Sequence, residues 1–189
     1  SGNDYWECYY HLCIDLFSAA AEMEQCVGNT DKCLVLINEI FDNGKRLEDK
    51  LRAFYVQIQI FGSQGSLEEA VRTGFDLLKE LGVRIPRKPR VWNVVAETLK
   101  TKKMLKGRSD ESLISGSRLE DPVELMKLEL LHLVSMYCYV WQGSDFLPII
   151  FLRSMQYSLQ HGINEYTPYA FANFAVLLVN SGDIDEGDR

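Results

Sequence analysis

Residues 15–37 read DLFSAAAEMEQCVGNTDKCLVLI, and the spacing inside this stretch decides the fold. Phe17 is followed by Ala21 one helical turn later, then by Gly28 and Cys33. An aromatic and a small residue four apart share one face of a helix. The glycine permits a tight turn, and the second small residue lets the returning helix approach the first. This is the helix–turn–helix of a tetratricopeptide-like repeat. The same spacing returns at Phe54, Ile58, Gly65 and Ala70, and again at Phe171, Ala175, Gly182 and Gly187. The seam aromatics Phe17, Phe54 and Phe171 are expected to be buried between paired helices, with turns at Gly28, Gly65 and Gly143.

Outward from this stretch, helix signals dominate. Asp4 to Cys26 carries Leu12, Leu16, Ala19, Ala20 and Met23 on a helical spacing with no internal breaker, which predicts one unbroken helix. Helices follow over Thr30–Phe41, stopped by Gly44, and over Arg46–Phe61. Ser66 and Glu69 form a capping box for a helix to Leu81, where Gly82 suits the left-handed cap. Pro86 and Pro89 mark a connector, followed by a helix from Val91 to Lys106. Ser109 is read as the cap of a short turn, and 114–119 as a loop. Asp121-Pro122 with Glu124 is a start signal for a helix to Trp141. Two more run from Phe146 to His161 and from Thr167 to Asn180.

No segment alternates with period two over a strand's length. The expected fold is all-α, with antiparallel helix pairs stacked as a tetratricopeptide-like α-solenoid. One repeat domain over 1–189 is expected: two pairs in 4–81, a basic connector and helix in 82–120, and further pairs in 121–189. The last pair lacks its second helix, so the chain reads as a fragment of a longer array. Apolar residues surround the 167–180 helix. One side is expected to pack on the 146–161 helix, and the other to remain as an exposed apolar patch.

The 189 residues are 47% hydrophobic and 25% charged, the balance of a folded protein. No apolar run is long enough to span a bilayer. Five cysteines without a CxxC pair argue against a zinc site and for thiols kept reduced inside the cell, so a cytoplasmic location is expected. The net charge of −7 is unevenly placed: Arg84 to Arg108 holds nine basic residues and one acid, Glu97. That segment is +8 and the remainder −15. Its simplest reading is a solvated face balanced by the protein's own carboxylates. The alternative is a module that binds nucleic acid or an anionic surface through residues 84–108. Nucleic acid is disfavoured because most of the chain repels phosphate.

Phosphate-loop, HExxH and GxSxG motifs are missing. His11, His132 and His161 are far apart in sequence. A small all-α enzyme using His132 or His161 with a nearby acid lacks a supporting nucleophile–base spacing. No catalytic residue, cofactor or metal is assigned. Tyr5, Trp6, Tyr9 and Tyr10 read as packing residues for a helix pair upstream.

Five elements, in order, resemble the region downstream of the P-loop domain in a family of large signal-transduction ATPases. They are Leu81-Gly82-Val83-Arg84-Ile85-Pro86, then Leu105-Lys106-Gly107-Arg108-Ser109 with Glu111 and Leu113, then Asp121-Pro122, then Leu159-Gln160-His161-Gly162, and finally Tyr169, Ala170, Phe174 and Gly182-Asp183. Many members of that family also carry protein-kinase-like and histidine-kinase domains. The resemblance departs at 114–118, where the family has a Leu/Pro-rich stretch. It implies a regulatory, tetratricopeptide-like region and transfers no catalytic residue, so any ATP hydrolysis belongs to the parent protein.

The expected function is therefore a non-catalytic protein-interaction or regulatory module of an intracellular signalling ATPase or kinase. A protein, a peptide or another domain of the parent would be its partner. The repeat register places Asp15, Ser18 and Glu22, with Arg52, Tyr55 and Gln59, on the concave partner-binding surface.

Overall fold

The computed structural model describes residues 4–141 and 143–180. Ten α-helices form among them: α1 (Asp4–Cys8), α2 (Tyr10–Cys26), α3 (Thr30–Asn43), α4 (Leu47–Ser63), α5 (Leu67–Glu80), α6 (Val91–Leu105), α7 (Asp110–Ile114), α8 (Pro122–Val140), α9 (Leu147–His161) and α10 (Thr167–Asn180). A 3-10 turn, Ser144–Phe146, leads into α9. The only extended pairing among the described residues is an isolated bridge between Arg118 and Ile163. The protein is all-α, and sequential packing joins α1 to α4 in one stretch and α8 to α10 in another.

Helix ends follow local chemistry. Asp121 Oδ1 accepts from the N–H groups of Val123 and Glu124 at 2.9 and 3.0 Å. Two of the donors that the first turn of α8 leaves unpaired are thereby satisfied, while Pro122 occupies a position where no donor is needed. Ser109 Oγ accepts from Ser112 N at 3.2 Å and caps α7. At the end of α5, Gly82 has φ +88°. Val83 N donates to Leu78 O and Gly82 N to Lys79 O, the paired closure that a left-handed residue permits. Gly28 and Gly65, with φ of +76° and +77°, make the other expected turns. Gly143 also lies at a helix break, donating its N–H to Cys138 O at 2.9 Å.

The chain divides into two compact units, one up to Gly74 and one from Phe75 onward. In the first unit α2 packs along α3, and α4 packs on both. Its core takes Cys13, Ile14 and Ala21 from α2, Cys33, Ile37 and Ile40 from α3, and Ala53, Val56 and Ile60 from α4. Ala21 and Cys33 are both sealed from solvent, and the Cys33 thiol donates to Ala21 O at 3.3 Å. The two small residues of the repeat therefore meet where α2 and α3 come closest.

The seam aromatics are less buried than expected. Phe17 is half-buried and stacks on Trp6 at 5.2 Å. Phe54 is half-buried against Phe41 at 4.7 Å. Phe171 is half-buried at the edge of the second unit's core. At the closest approach of two helices there is room only for the small side chains, so the rings lie at the lip of the seam.

The first helix also differs from expectation. Tyr9 interrupts it, with φ −130° and ψ +40°. More important, Leu12, Leu16, Ala19 and Met23 do not form its core face. They are exposed, while Cys13, Ile14, Ser18 and Ala21 are buried. A helix apolar on two sides carries two legitimate stripes, and the one containing the smaller residues faces α3.

In the second unit α9 is central: α6, α8 and α10 each pack on it. Leu152, Met155 and Leu159 of α9 meet Phe174 and Leu178 of α10, with Val94, Met104 and Leu105 of α6 alongside. The outer side of α10 leaves Tyr169, Val176 and Val179 exposed, as its composition predicts. Gly182 and Gly187 of the third repeat copy lie outside the described residues.

Candidate functional site

Three of the six residues expected on a partner-binding surface form one cluster. Arg52 on α4 donates from Nε and Nη2 to the two carboxylate oxygens of Glu22 on α2, both at 2.7 Å. Asp15, one turn pair earlier on α2, lies 3.9 Å from Arg52 Nη1. The Glu22 hydrogen bonds hold the guanidinium above its ordinary pKa against the opposing effect of burial, and the Glu22 and Asp15 charges add to this. Tyr55 and Gln59 follow on α4, both half-buried. Ser18 is not on this surface. It is 1% exposed and faces the core, because it lies nearly opposite Leu16 on the α2 wheel and beside the buried Ile14 and Ala21.

The structure places a different feature beside this cluster. Tyr5, Tyr9, Leu12, Leu16, Ala19 and Met23 are all exposed, and their spacing alternates four and three residues. That is the repeat of a seam facing another helix. The row runs along α1 and α2, with Asp15 and Glu22 on its border. Its rigidity comes from the opposite side. Trp6 is buried and its indole N–H donates to Glu39 at 3.4 Å. The Tyr10 hydroxyl donates to Asp49 at 2.6 Å and accepts from Lys45 N at 2.7 Å. Burial opposes charge on Asp49, but the Tyr10 hydroxyl and the Arg46 N–H and guanidinium outweigh it and hold the carboxyl below its ordinary pKa. The sequence reads Tyr5 and Tyr9 as packing residues, and Leu12, Leu16, Ala19 and Met23 as a helical spacing without a stated direction. The repeat spacing already puts Phe17 and Ala21 on the inward side, and Cys13, Ile14 and Ser18 complete that stripe.

In the second unit, three of the sequence elements singled out above converge. Arg108 Nη1 donates to Leu159 O at 3.0 Å, capping the end of α9. Gly162 follows with φ +114°. Leu119 N donates to Ile163 O and Ile163 N to Ser117 O, both at 2.9 Å. Glu124 in the first turn of α8 accepts from Lys127 Nζ at 2.6 Å and lies 3.6 Å from His161 Nε2 in the last turn of α9. An acid at a helix start and an imidazole at a helix end each complement the local dipole. Beside this junction lies a cavity of about 140 Å³, bordered by Arg108, Ser112, Ser117, Ser158 and Thr167. Arg108, Gly162 and Glu124 are thus accounted for as joining elements.

His132 sits between the rings of Tyr166 and Tyr169, at 5.3 and 4.9 Å. Burial lowers its pKa, so the neutral imidazole is favoured. No carboxylate lines the small cavity it borders, so the cavity provides no acid to orient it. His11 is exposed on α2. All five cysteines are free. Cys138 is fully buried and its thiol is pushed up to about 12, which leaves it unreactive. Among the described residues, no group of His, Cys, Asp and Glu is placed to hold a metal ion. No helix among them is long and apolar enough to cross a membrane.

Comparison of the chain with protein-family models, with curated proteins and with solved structures finds no match.

Proposed function

We propose that this chain is a non-catalytic, tetratricopeptide-like helical-repeat module of an intracellular signalling protein, and that it docks a helical segment of a partner or of another domain of its parent. The observation that carries this reading is the exposed apolar row on α1 and α2. An alternating four–three row is complementary to a second helix, and the buried stripe behind it fixes its geometry. Asp15 and Glu22, tied to Arg52, give the row an ordered polar border. The five free thiols support an intracellular setting. The resemblance of five ordered elements to signal-transduction ATPases is the ground for the regulatory role, with any nucleotide chemistry residing elsewhere in the parent.

The test is selection of helical peptides from a displayed library on the purified chain, followed by hydrogen exchange. Selected peptides should protect α2 and lose at least tenfold in affinity to the Leu12→Asp, Leu16→Asp double variant. Both side chains are more than half exposed, so the variant should keep its helical spectrum. Binders that protect other helices, or that ignore the double variant, would overturn the assignment.

A further inference from the structure

The outer face of α6 presents a combination found nowhere else on the described chain. Val91, Trp92, Val95 and Leu99 are 80%, 60%, 51% and 63% exposed. On a helical wheel they share one side with Ala96 and Lys103, flanked by Lys100 and Lys106, and all four of these are exposed. The exposed Arg90 guanidinium lies over the Trp92 ring at 4.7 Å.

This face cannot turn inward, because the other side of α6 is committed. Thr101 is fully buried. Its hydroxyl donates to Glu97 O at 2.9 Å and accepts from Gln156 Nε2 at 3.0 Å. Glu97, the sole acid between Arg84 and Arg108, belongs to that inner side. It accepts from Arg153 at 2.8 Å and from Gln156 at 2.9 Å, both on α9. The one carboxylate of the segment is thus engaged by a cation from outside it, and the outer face keeps its basic residues without an acid among them.

We propose that this face of α6 lies on the surface of a bilayer containing anionic phospholipid. The charge complementarity is direct: a segment of +8 in a chain otherwise at −15 offers one surface that an anionic sheet attracts. The apolar members select the bilayer over nucleic acid. Phosphate backbones engage lysine and arginine but have no use for Val91, Val95 and Leu99, whereas an interfacial helix buries such residues below the headgroups and seats its tryptophan at their level. Fifteen residues of helix extend about 22 Å, enough for a one-sided contact parallel to the membrane. This surface is separate from the helix-docking row on α2 and does not rest on it.

The experiment is co-sedimentation of the chain with vesicles of phosphatidylcholine alone or with 30% phosphatidylserine (about the anionic content that attracts polybasic segments). Tryptophan emission is followed in the same samples, with Trp92→Phe as the control that assigns any shift among the three tryptophans. Binding should require the anionic lipid, shift the emission to the blue, and weaken at least tenfold between low and high salt. Val95→Asp with Leu99→Asp should reduce partitioning at least tenfold, and so should Lys100→Glu with Lys103→Glu. All four positions are exposed, and circular dichroism checks the fold of each variant. Failure to bind either vesicle overturns the proposal. So does binding that survives the Val95/Leu99 change, or tighter binding to a 20-nucleotide RNA or DNA than to the anionic vesicles.

Discussion

Replacing Gly162 by alanine tests the junction that joins α9 to the loop before α8. Gly162 has φ +114° and ψ −178°, a region open essentially to glycine alone, so a side chain there costs about 1–3 kcal/mol. A Cβ at this position would also be driven into the Ser117 carbonyl oxygen, with Leu119 N close behind. Those are the groups that hold the loop. Ile163 N donates to Ser117 O, and Leu119 N to Ile163 O. Relief of the clash must move backbone and weaken both bonds, each worth about 1 kcal/mol. The expected total is about 3–5 kcal/mol. Gly28→Ala is the matched control. Its φ is +76° with nothing within 4 Å of the new Cβ, so only the left-handed penalty of about 1–2 kcal/mol applies. Urea unfolding followed by circular dichroism measures both. Equal costs, or a Gly162→Ala cost below about 1 kcal/mol, would show that the close approach at Ser117 does not hold the junction.

Phe54→Ala should destabilise by about 2–3 kcal/mol, less than the 3–5 of a fully buried ring, because the ring is half-buried against Phe41. A change below about 1 kcal/mol would mean that the repeat register is wrong. His132 sets a pH dependence: its pKa in the folded chain lies below the ordinary 6.5 because burial disfavours the imidazolium. Between those two pKa values the unfolded chain binds the additional proton, so stability rises with pH. The contribution is complete above 6.5 and is lost as pH falls through that value towards the folded-state pKa. His132→Gln should flatten this part of the stability–pH curve, and an unchanged slope would contradict the burial argument.

Most element boundaries were legible because they rest on local chemistry. Asp121 before Pro122 announces a capped helix whatever lies around it, and the cap bonds to Val123 and Glu124 are present. The glycines read as turns or caps at Gly28, Gly65 and Gly82 are at positive φ, a conformation that other residues rarely adopt, whereas Gly44 ends α3 at φ −62°. The orientation of α2 was not legible from its composition. With apolar residues on two sides, periodicity identifies a helix but leaves open which stripe is inside; the repeat spacing places Ala21 inward, as found, and Ser18 outward, where the structure buries it. The decision belongs to packing. Ala21 fits against Cys33 at a distance that leucine or methionine would not allow, so the bulkier row is left outside. The junction was legible only as separate pieces, since Arg108 and the Leu159 carbonyl it caps are 51 residues apart.

The two exposed faces share an apolar row and differ in what borders it, and the border discriminates between partners. On α2 the flanking charges are carboxylates, and Glu22 is held by two hydrogen bonds from Arg52. Two carboxylates share one guanidinium there, so the border stays negative and repels an anionic sheet, and an apolar helix is the complement that fits it. On α6 the border is lysine and arginine, and the nearby carboxylate is turned away to Arg153. Had Glu97 paired with the lysines of its own helix, the segment would have read as the self-balanced solvated face that its composition first suggests. The Glu97–Arg153 contact is therefore the observation that favours the proposed membrane contact over that balanced reading. An Arg153→Met variant probes the connection: with its cross-helix cation gone, the Glu97 charge is returned to α6. Anionic-vesicle binding should then fall while phosphatidylcholine binding stays absent, and vesicle binding as strong as in the unsubstituted chain would show that the charge of Glu97 does not set the outer face's potential.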